Sequence, residues 1–144
     1  MSFKHVLLCY DGSEQGRRAL IHGAELALEM KSAITVLAIV TPSHDAAVHW
    51  ADVGGVRAFD CEADFRRILD ESIHWLEARN AKATPLLVHG EVIDVILDVA
   101  ARRQVDLIVV GQYPSAGAKR WWSSIQKPTL AEHAKCSVLI SVNP

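Results

Sequence analysis

Short, continuous apolar runs alternate along the chain with segments whose apolar residues recur at helical spacing. The first run, His5–Tyr10, leads into Asp-Gly-Ser at 11–13, residue types that form turns and cap helices, and a helical pattern follows. The second run, Ala33–Val40, is rich in β-branched residues and ends shortly before Pro42, which discourages further strand pairing. Apolar runs without polar alternation are typical of strands covered on both faces. The pattern therefore predicts a buried strand, a tight turn, a helix and a second buried strand.

The same alternation continues to the end of the chain. A segment without any period, 43–60, precedes a helical stripe of apolar residues. Further along, Pro128 stands at a position typical of the first turn of a helix. The remaining predicted elements are a helix over 61–81, a strand over 84–90, a helix over 91–104, a strand over 105–111, a helix over 128–134 and a strand over 136–142.

Alternating buried strands and helices predict an α/β fold in three layers. Parallel neighbours in a sheet need crossover connections, so an order of βαβαβαβαβ indicates an open, mainly parallel sheet with helices on both faces. Such sheets bind ligands beyond the carboxyl ends of their strands, where the strand order reverses. The candidate positions are therefore 9–13, 39–42 and the segment from Val110 onward.

Composition narrows the function classes. The 144 residues fit a single domain over 1–144, and 50% hydrophobic with 22% charged residues is globular composition. The net charge of -2 and the absence of basic runs longer than a pair argue against nucleic-acid binding. No apolar run reaches the roughly 18 residues of a membrane span, and the first apolar stretch is too short for a secretory signal. Three cysteines without CxxC spacing argue against disulfides. A cytoplasmic protein is expected.

The sequence carries no recognisable catalytic or metal-binding signature. Its seven histidines show no HExxH or related spacing, and its serines lack the GxSxG elbow. The remaining metal alternative is an opportunistic divalent site made by His44 and His49 with Asp45 and Asp52. We therefore expect no catalytic residue, no metal site and no enzymatic activity.

Three segments resemble the universal stress protein family, of the bacterial universal stress protein A type. They read VLLCYDGSEQGRRAL near the start, HGEVIDVILDVAARRQVDLIVVG in the second half, and AEHAKCSVLISV at the end. The resemblance covers about 4–142 and is weakest over 43–60. It implies an adenine nucleotide alpha hydrolase-like sheet of order 3-2-1-4-5, and dimers formed through the last strand. It also implies that ATP is a possible ligand, since some members of the family bind it and others do not.

In the family, ATP binding goes with a loop of the pattern Gly, two residues, Gly, nine residues, Gly, then Ser or Thr. Glycines allow backbone N–H groups to approach phosphate oxygens. Here Gly111 holds the first position, but Pro114 stands at the second, Ser124 at the third and Ile125 at the hydroxyl position. Proline removes a donor, isoleucine removes a hydroxyl, and serine is the mildest change. The loop is thus expected to be degraded, with ATP not bound in the usual way.

Other positions keep the family's nucleotide contacts. The resemblance places Asp11 where an acidic residue helps to hold base and ribose, and Ile39 at a main-chain contact after the second strand. Asp11 is equally well explained as a turn and cap residue. Lys119 and Arg120 offer charge to a phosphate. The alternative is therefore an ATP-dependent switch that uses Asp11, Ile39 and Gly111 for the nucleoside.

Two further features concern partners. Adjacent Trp121 and Trp122 have two interpretations, either filling of a disabled nucleotide cleft or a surface for a protein partner. The apolar last strand, about Ser137–Val142, offers an edge that pairs with its own copy across a two-fold axis. The sequence thus favours a non-enzymatic, homodimeric stress-response or regulatory protein that binds neither nucleic acid nor membrane.

Overall fold

The structure is a computed structural model that describes residues 2–10, 14–40, 61–112 and 126–142. Within these ranges five strands alternate with four helices, as predicted. The elements are β1 His5–Tyr10, α1 Glu14–Glu29, β2 Ala33–Val40, α2 Cys61–Glu77, β3 Lys82–His89, α3 Val92–Arg102, β4 Leu107–Gln112, α4 Gln126–His133 and β5 Ser137–Val142. None of the described helices combines the length and apolar composition that a membrane crossing needs.

Several predicted boundaries shift by a few residues. Helix α2 ends at Glu77 rather than at residue 81, because 78–80 form the turn into the next strand. Strand β3 begins at Lys82, two residues earlier than predicted, and Pro85 lies inside it. This position is tolerated because β3 is at the edge of the sheet, where one side of the strand needs no ladder partner.

All strand pairs in the described sheet are parallel, and the order is β3-β2-β1-β4-β5, which confirms the predicted topology. Strand β1 is central and pairs with β2 on one side and β4 on the other. The connection from β2 moves outward to β3, whereas the chain later returns to β4 on the opposite side of β1. The strand order therefore reverses at β1.

Two apolar layers cover the sheet. Val6, Leu8 and Tyr10 of β1 face helices α1 and α2, while Leu7 and Cys9 face α3 and α4. Because both faces are covered, every residue from Val6 to Tyr10 is buried, with exposures of 3% or less. This double burial explains why the central strands read as continuous apolar runs.

Gly23 sets the position of α1 on the sheet. A Cβ atom at Gly23 would lie 2.5 Å from Cγ1 of Val109, a fully buried side chain of β4. Only glycine permits such a close approach between this helix and a central strand. Helix α1 accordingly packs on β1, β4 and β5, while α2 packs on β2 and β3.

The turns that lead from helices into strands share one design. Lys31, Asn80 and Gln104 have φ values of 56°, 63° and 54°, in the left-handed region, just after α1, α2 and α3. After α1, the Lys31 N–H donates to the Leu28 carbonyl at 3.1 Å and the next N–H donates to the Ala27 carbonyl at 2.9 Å. These bonds form a Schellman motif, which satisfies the last carbonyls of the helix.

Side chains also tie together the start of the sheet. The Asp106 carboxylate accepts backbone N–H bonds from Lys4 at 2.8 Å and from His5 at 2.9 Å. The His5 ring bonds the Arg103 carbonyl through Nδ1 at 3.0 Å and the Thr35 hydroxyl through Nε2 at 2.8 Å. Since a carbonyl only accepts, Nδ1 carries a proton, and in the neutral ring Nε2 accepts from Thr35. His5 is therefore a packing histidine, as expected for the histidines of this sequence.

Candidate functional site

The candidate site lies where the central strand is shorter than its neighbours. The register of β1 with β2 ends at Tyr10 opposite Ala38, and that of β1 with β4 ends at Cys9 opposite Val110. Strands β2 and β4 continue beyond these pairs to Val40 and Gln112. Relative to Tyr10, β2 therefore continues for two residues, about 7 Å at 3.3 Å per residue, and β4 for one residue. We call the end of β1 with these two flanking strand ends the carboxyl notch; it lies where the strand order reverses.

Ile39 forms one wall of the carboxyl notch. Its side chain is fully buried in the apolar layer between the sheet and helices α3 and α4. It pairs with Val88 of β3, but it lies beyond the last registered residue of β1 on the other side. Its side chain is therefore not available to a ligand, and the main-chain contact expected for it stays a prediction.

Gly111 forms the opposite wall. It is buried, and it lies inside β4 opposite Ser141 of β5, because the strand continues through Gln112 instead of ending at Gly111 as predicted. A glycine in a strand interior leaves no side chain to pack and often marks close approach of another group. The structure therefore places Ile39 and Gly111 on the two strands that flank the end of β1, with Gly111 level with Tyr10 and Ile39 one residue further along.

Gly90 closes the outer side of this end of the sheet. Its φ of 151° is in a region that side chains of L-residues rarely adopt, and its N–H donates to the Val40 carbonyl at 3.1 Å. An added Cβ atom would lie 2.9 Å from Cγ2 of Val95 on α3. The sharp turn at Gly90 thus fixes the end of β2 and starts α3 immediately. Sequence reasoning located Gly90 as a strand end but gave it no role.

Tyr10 forms the floor of the carboxyl notch. The side chain is buried and its ring packs edge-on against Phe65 of α2, with the centroids 6.0 Å apart and the planes at 77°. This geometry is favourable for aromatic pairs. Sequence reasoning assigned no function to Tyr10. The signal that marks this residue is its position as an aromatic directly before Asp-Gly-Ser at 11–13.

Cys9 precedes Tyr10 in β1, and its thiol has low reactivity. It is 2% exposed, as predicted, and burial raises the pKa of its thiol far above the usual range. A thiol that stays protonated is a poor nucleophile. Within the described ranges, no group of three or more His, Cys, Asp or Glu residues is placed to hold a metal ion.

Several predicted site residues lie outside the described residues. They are Asp11 and Ser124, the loop residues Pro114, Lys119, Arg120 and Ile125, the pair Trp121 and Trp122, and the histidines His44 and His49. Of the predicted nucleotide contacts, Ile39 and Gly111 are thus the two whose positions the structure gives.

A sequence model described as the Universal stress protein family matches residues 2–141. The chain belongs to this family. Among curated proteins it is 25% identical to universal stress protein YxiE of Bacillus subtilis (strain 168), over 96% of this chain and 98% of that protein. The match covers both proteins nearly from end to end, so YxiE and this chain share the same extent of the family domain.

Solved structures of the family share the fold. A universal stress protein crystallised in complex with cAMP superposes with a TM-score of 0.71 at 22% identity, over 100% of each chain. A universal stress protein from Archaeoglobus fulgidus in complex with dAMP superposes with a TM-score of 0.64 at 20% identity, over 97% of this chain and 98% of that one. The five parallel strands in order 3-2-1-4-5 thus form the adenine nucleotide alpha hydrolase-like sheet of the family.

Proposed function

We propose that this universal stress protein acts as a non-enzymatic, homodimeric stress-response or regulatory module whose ATP loop is degraded. The carboxyl notch supports the regulatory role, because Ile39 and Gly111 lie at the strand ends where ligands bind in this fold. The residues that follow Gly111 in the sequence support the degraded ATP loop. Pro114 lacks an N–H and Ile125 lacks a hydroxyl where the family pattern provides phosphate donors.

The observation that carries the proposal is a contrast. The strand ends with Ile39 and Gly111 keep the family's arrangement, whereas the loop that follows Gly111 departs from the family's phosphate-binding pattern. Backbone N–H groups and a helix N-terminus are what bind phosphate oxygens in Gly-rich loops. Without these donors, the strand ends still accommodate an adenosine-sized group, but the phosphates of a triphosphate add little binding free energy. We infer that adenine nucleotides with many phosphates bind no better than adenosine itself.

The state of one described thiol supports the non-enzymatic part of the proposal. The Cys9 thiol, which lies closest in sequence to the carboxyl notch among the described cysteines, is buried and held protonated. Activation of a thiol instead needs a lowered pKa or an adjacent base.

Thermal unfolding with and without millimolar MgATP tests the nucleotide part. A ligand at about 100 times its dissociation constant stabilises by about 2.7 kcal/mol, so ATP binding is readily visible. We expect no shift for the natural chain. A variant with Pro114→Gly, Ser124→Gly and Ile125→Ser restores the family pattern and is expected to gain a shift. A clear shift with the natural chain, abolished by Lys119→Ala and Arg120→Ala, supports the second candidate instead.

That second candidate is an ATP-binding switch. It is favoured by one specific observation, namely that relatives of the same fold were crystallised with cAMP and with dAMP. Both ligands are adenine nucleotides with one phosphate. Titration with AMP, cAMP and ATP in parallel distinguishes an adenosine site, where the three bind alike, from a triphosphate site, where ATP binds best.

The homodimer part of the proposal rests on strand β5. It is an edge strand of the described sheet, its Val138 and Leu139 are partly exposed, and Ile140 is 41% exposed. An exposed apolar edge strand is a template for pairing with another chain. Sedimentation of Ile140→Lys is expected to show a monomer. Ile21→Lys is the matched control, because Ile21 on α1 is also 41% exposed, and it should leave a dimer intact. A monomeric natural chain contradicts this part.

A further inference from the structure

A cavity of about 120 Å³ lies between helices α1 and α2, on the opposite face of the sheet from Ile39. We call it the α1/α2 cleft. Among the described residues, Leu8, Tyr10 and Val36 form its floor, Ala24 lines it from α1, and Ser72 and Trp75 line it from α2. Its mouth includes the exposed side chain of Ile21. None of the lining residues that the structure describes carries a charge.

The cleft is a consequence of how the two helices are placed. Helix α1 packs on β1, β4 and β5, and Gly23 brings it into close contact with Val109 of β4. Helix α2 packs on β2 and β3. The cleft lies between the two helices, over the junction of β1 and β2, and its floor residues Leu8, Tyr10 and Val36 are buried, with exposures of 3%, 3% and 4%.

The size and the lining of the cleft define a class of ligand. A cavity of about 150 Å³ lined by apolar side chains binds benzene in an engineered protein, so this smaller cleft holds at most one six-membered ring, with a substituent placed at the mouth beside Ile21. Tyr10 and Trp75 offer ring surfaces, which pair with an aromatic ligand edge-on or in offset stacks. The same two residues and Ser72 carry polar atoms that suit one hydroxyl group. A cationic ligand is disfavoured because it loses its hydration without gaining an opposite charge, and the Arg79 guanidinium already lies 3.9 Å from the Trp75 ring centroid.

We propose that the α1/α2 cleft binds a small neutral aromatic molecule, one ring bearing a hydroxyl group, of the benzyl alcohol or phenol class. Of the lining residues named above, only Tyr10 also borders the carboxyl notch. The cleft is therefore a second site, which shares one residue, Tyr10, with the carboxyl notch. A ligand there contacts both helices and thereby links α1 to α2.

Titration of the full chain with benzyl alcohol, followed by ¹H–¹⁵N NMR, tests the proposal. We expect saturable shifts of the Trp75 indole N–H and of the backbone amides of Tyr10 and Ser72. Benzylamine has a similar shape but a positive charge, and we expect it to bind at least about tenfold more weakly. The shift of the Trp75 indole N–H should be unchanged by millimolar MgATP. Absence of saturation at Trp75, or equal binding of benzylamine, overturns the proposal.

A filled cleft provides the second test. Ala24→Leu adds side-chain volume inside the cavity and is expected to weaken benzyl alcohol binding at least about tenfold, whereas Ala131→Leu makes the same change on the exposed side of α4 and should not. If Ala24→Leu does not fold by circular dichroism, the half-buried Ser72→Leu replaces it. Unchanged affinity in a folded filled variant overturns the proposal.

Discussion

The two ends of the parallel sheet are built differently. At the amino end, where strands begin, helices enter through short turns over 30–32, 78–81, 103–106 and 134–136, and three of these turns use a left-handed residue. At the carboxyl end, the connections 11–13, 41–60, 90–91 and 113–125 differ widely in length. The three turns with a left-handed residue are hydrogen-bonded in the same way and close the helices at the amino end. In sheets of this kind ligands bind at the carboxyl end, and variable connections carry binding residues more often than short structural turns do.

Gly90 is the exception at the carboxyl end, because its connection is short and strictly determined. Gly90→Ala places a side chain at φ 151° and 2.9 Å from Val95, and we expect it to reduce the free energy of unfolding by about 3 kcal/mol. Urea denaturation measures the loss. Gly23→Ala separates the causes, since it adds a steric clash but also about 1 kcal/mol of helix propensity. A loss below that of Gly23→Ala contradicts the role given to the Gly90 backbone.

Asp106 tests the amino end. Asp106→Ala removes the carboxylate that accepts hydrogen bonds from the backbone N–H groups of Lys4 and His5. We expect a loss of about 2 kcal/mol in the free energy of unfolding. Asp106→Asn keeps one acceptor oxygen and should lose about half as much. Amide hydrogen exchange at His5 should accelerate in the alanine variant while that at Val40, at the other end, does not. Acceleration at both ends alike means that the two ends do not act separately.

Much of this scaffold was predictable from the sequence, because burial on both faces leaves a continuous apolar run. β1, β2 and β4 were located in this way, and Ile39 and Gly111 were correctly placed near strand ends. The edge strand β3 is only partly buried along its length, so its start at Lys82 left no such signal. The strand order came from the family resemblance, since alternation of elements does not determine which strands are neighbours in space.

The details of the site depend on features that the pattern does not encode. The carboxyl notch follows from the register of β1 against β2 and β4, which long-range pairing determines. The α1/α2 cleft follows from where two helices pack on the sheet. The end of α2 was predicted too late because the apolar stripe does not mark the left-handed turn at Asn80. Asparagine is a residue type that does signal such a turn, whereas Lys31 and Gln104, which make equivalent turns, are not.

The left-handed turns of the amino end give a smaller effect. Lys31→Gly relieves the steric cost of φ 56° and should stabilise the protein by about 1 kcal/mol, partly offset by the greater chain entropy of glycine. Asn80→Gly is the matched control, because asparagine tolerates the left-handed region and should gain less than half as much. Thermal unfolding ranks the two variants. Equal gains contradict the idea that asparagine tolerates this conformation better than lysine does.

The smallest expected effect concerns Cys136, just before β5. Burial, and after it the negative charge of Asp106, raises the pKa of the Cys136 thiol. Less thiolate is therefore present at pH 8, and alkylation by iodoacetamide should be a few-fold slower than for an unhindered cysteine and should accelerate as the pH rises. Asp106→Asn removes the charge and should shift this pH profile to lower pH. Peptide mass spectrometry follows the rate, and an unshifted profile contradicts the electrostatic contribution.

Pro85 has a consequence beyond the single chain. It places a residue without an N–H group, together with the exposed Lys82, on the β3 border of the sheet, whereas the β5 border presents the exposed Ile140. A protein whose sheet pairs through both edge strands polymerises without limit, but one whose sheet pairs through a single edge strand stops at two copies. Pro85 thus disfavours strand addition at the β3 border and leaves β5 as the border that suits the proposed dimer.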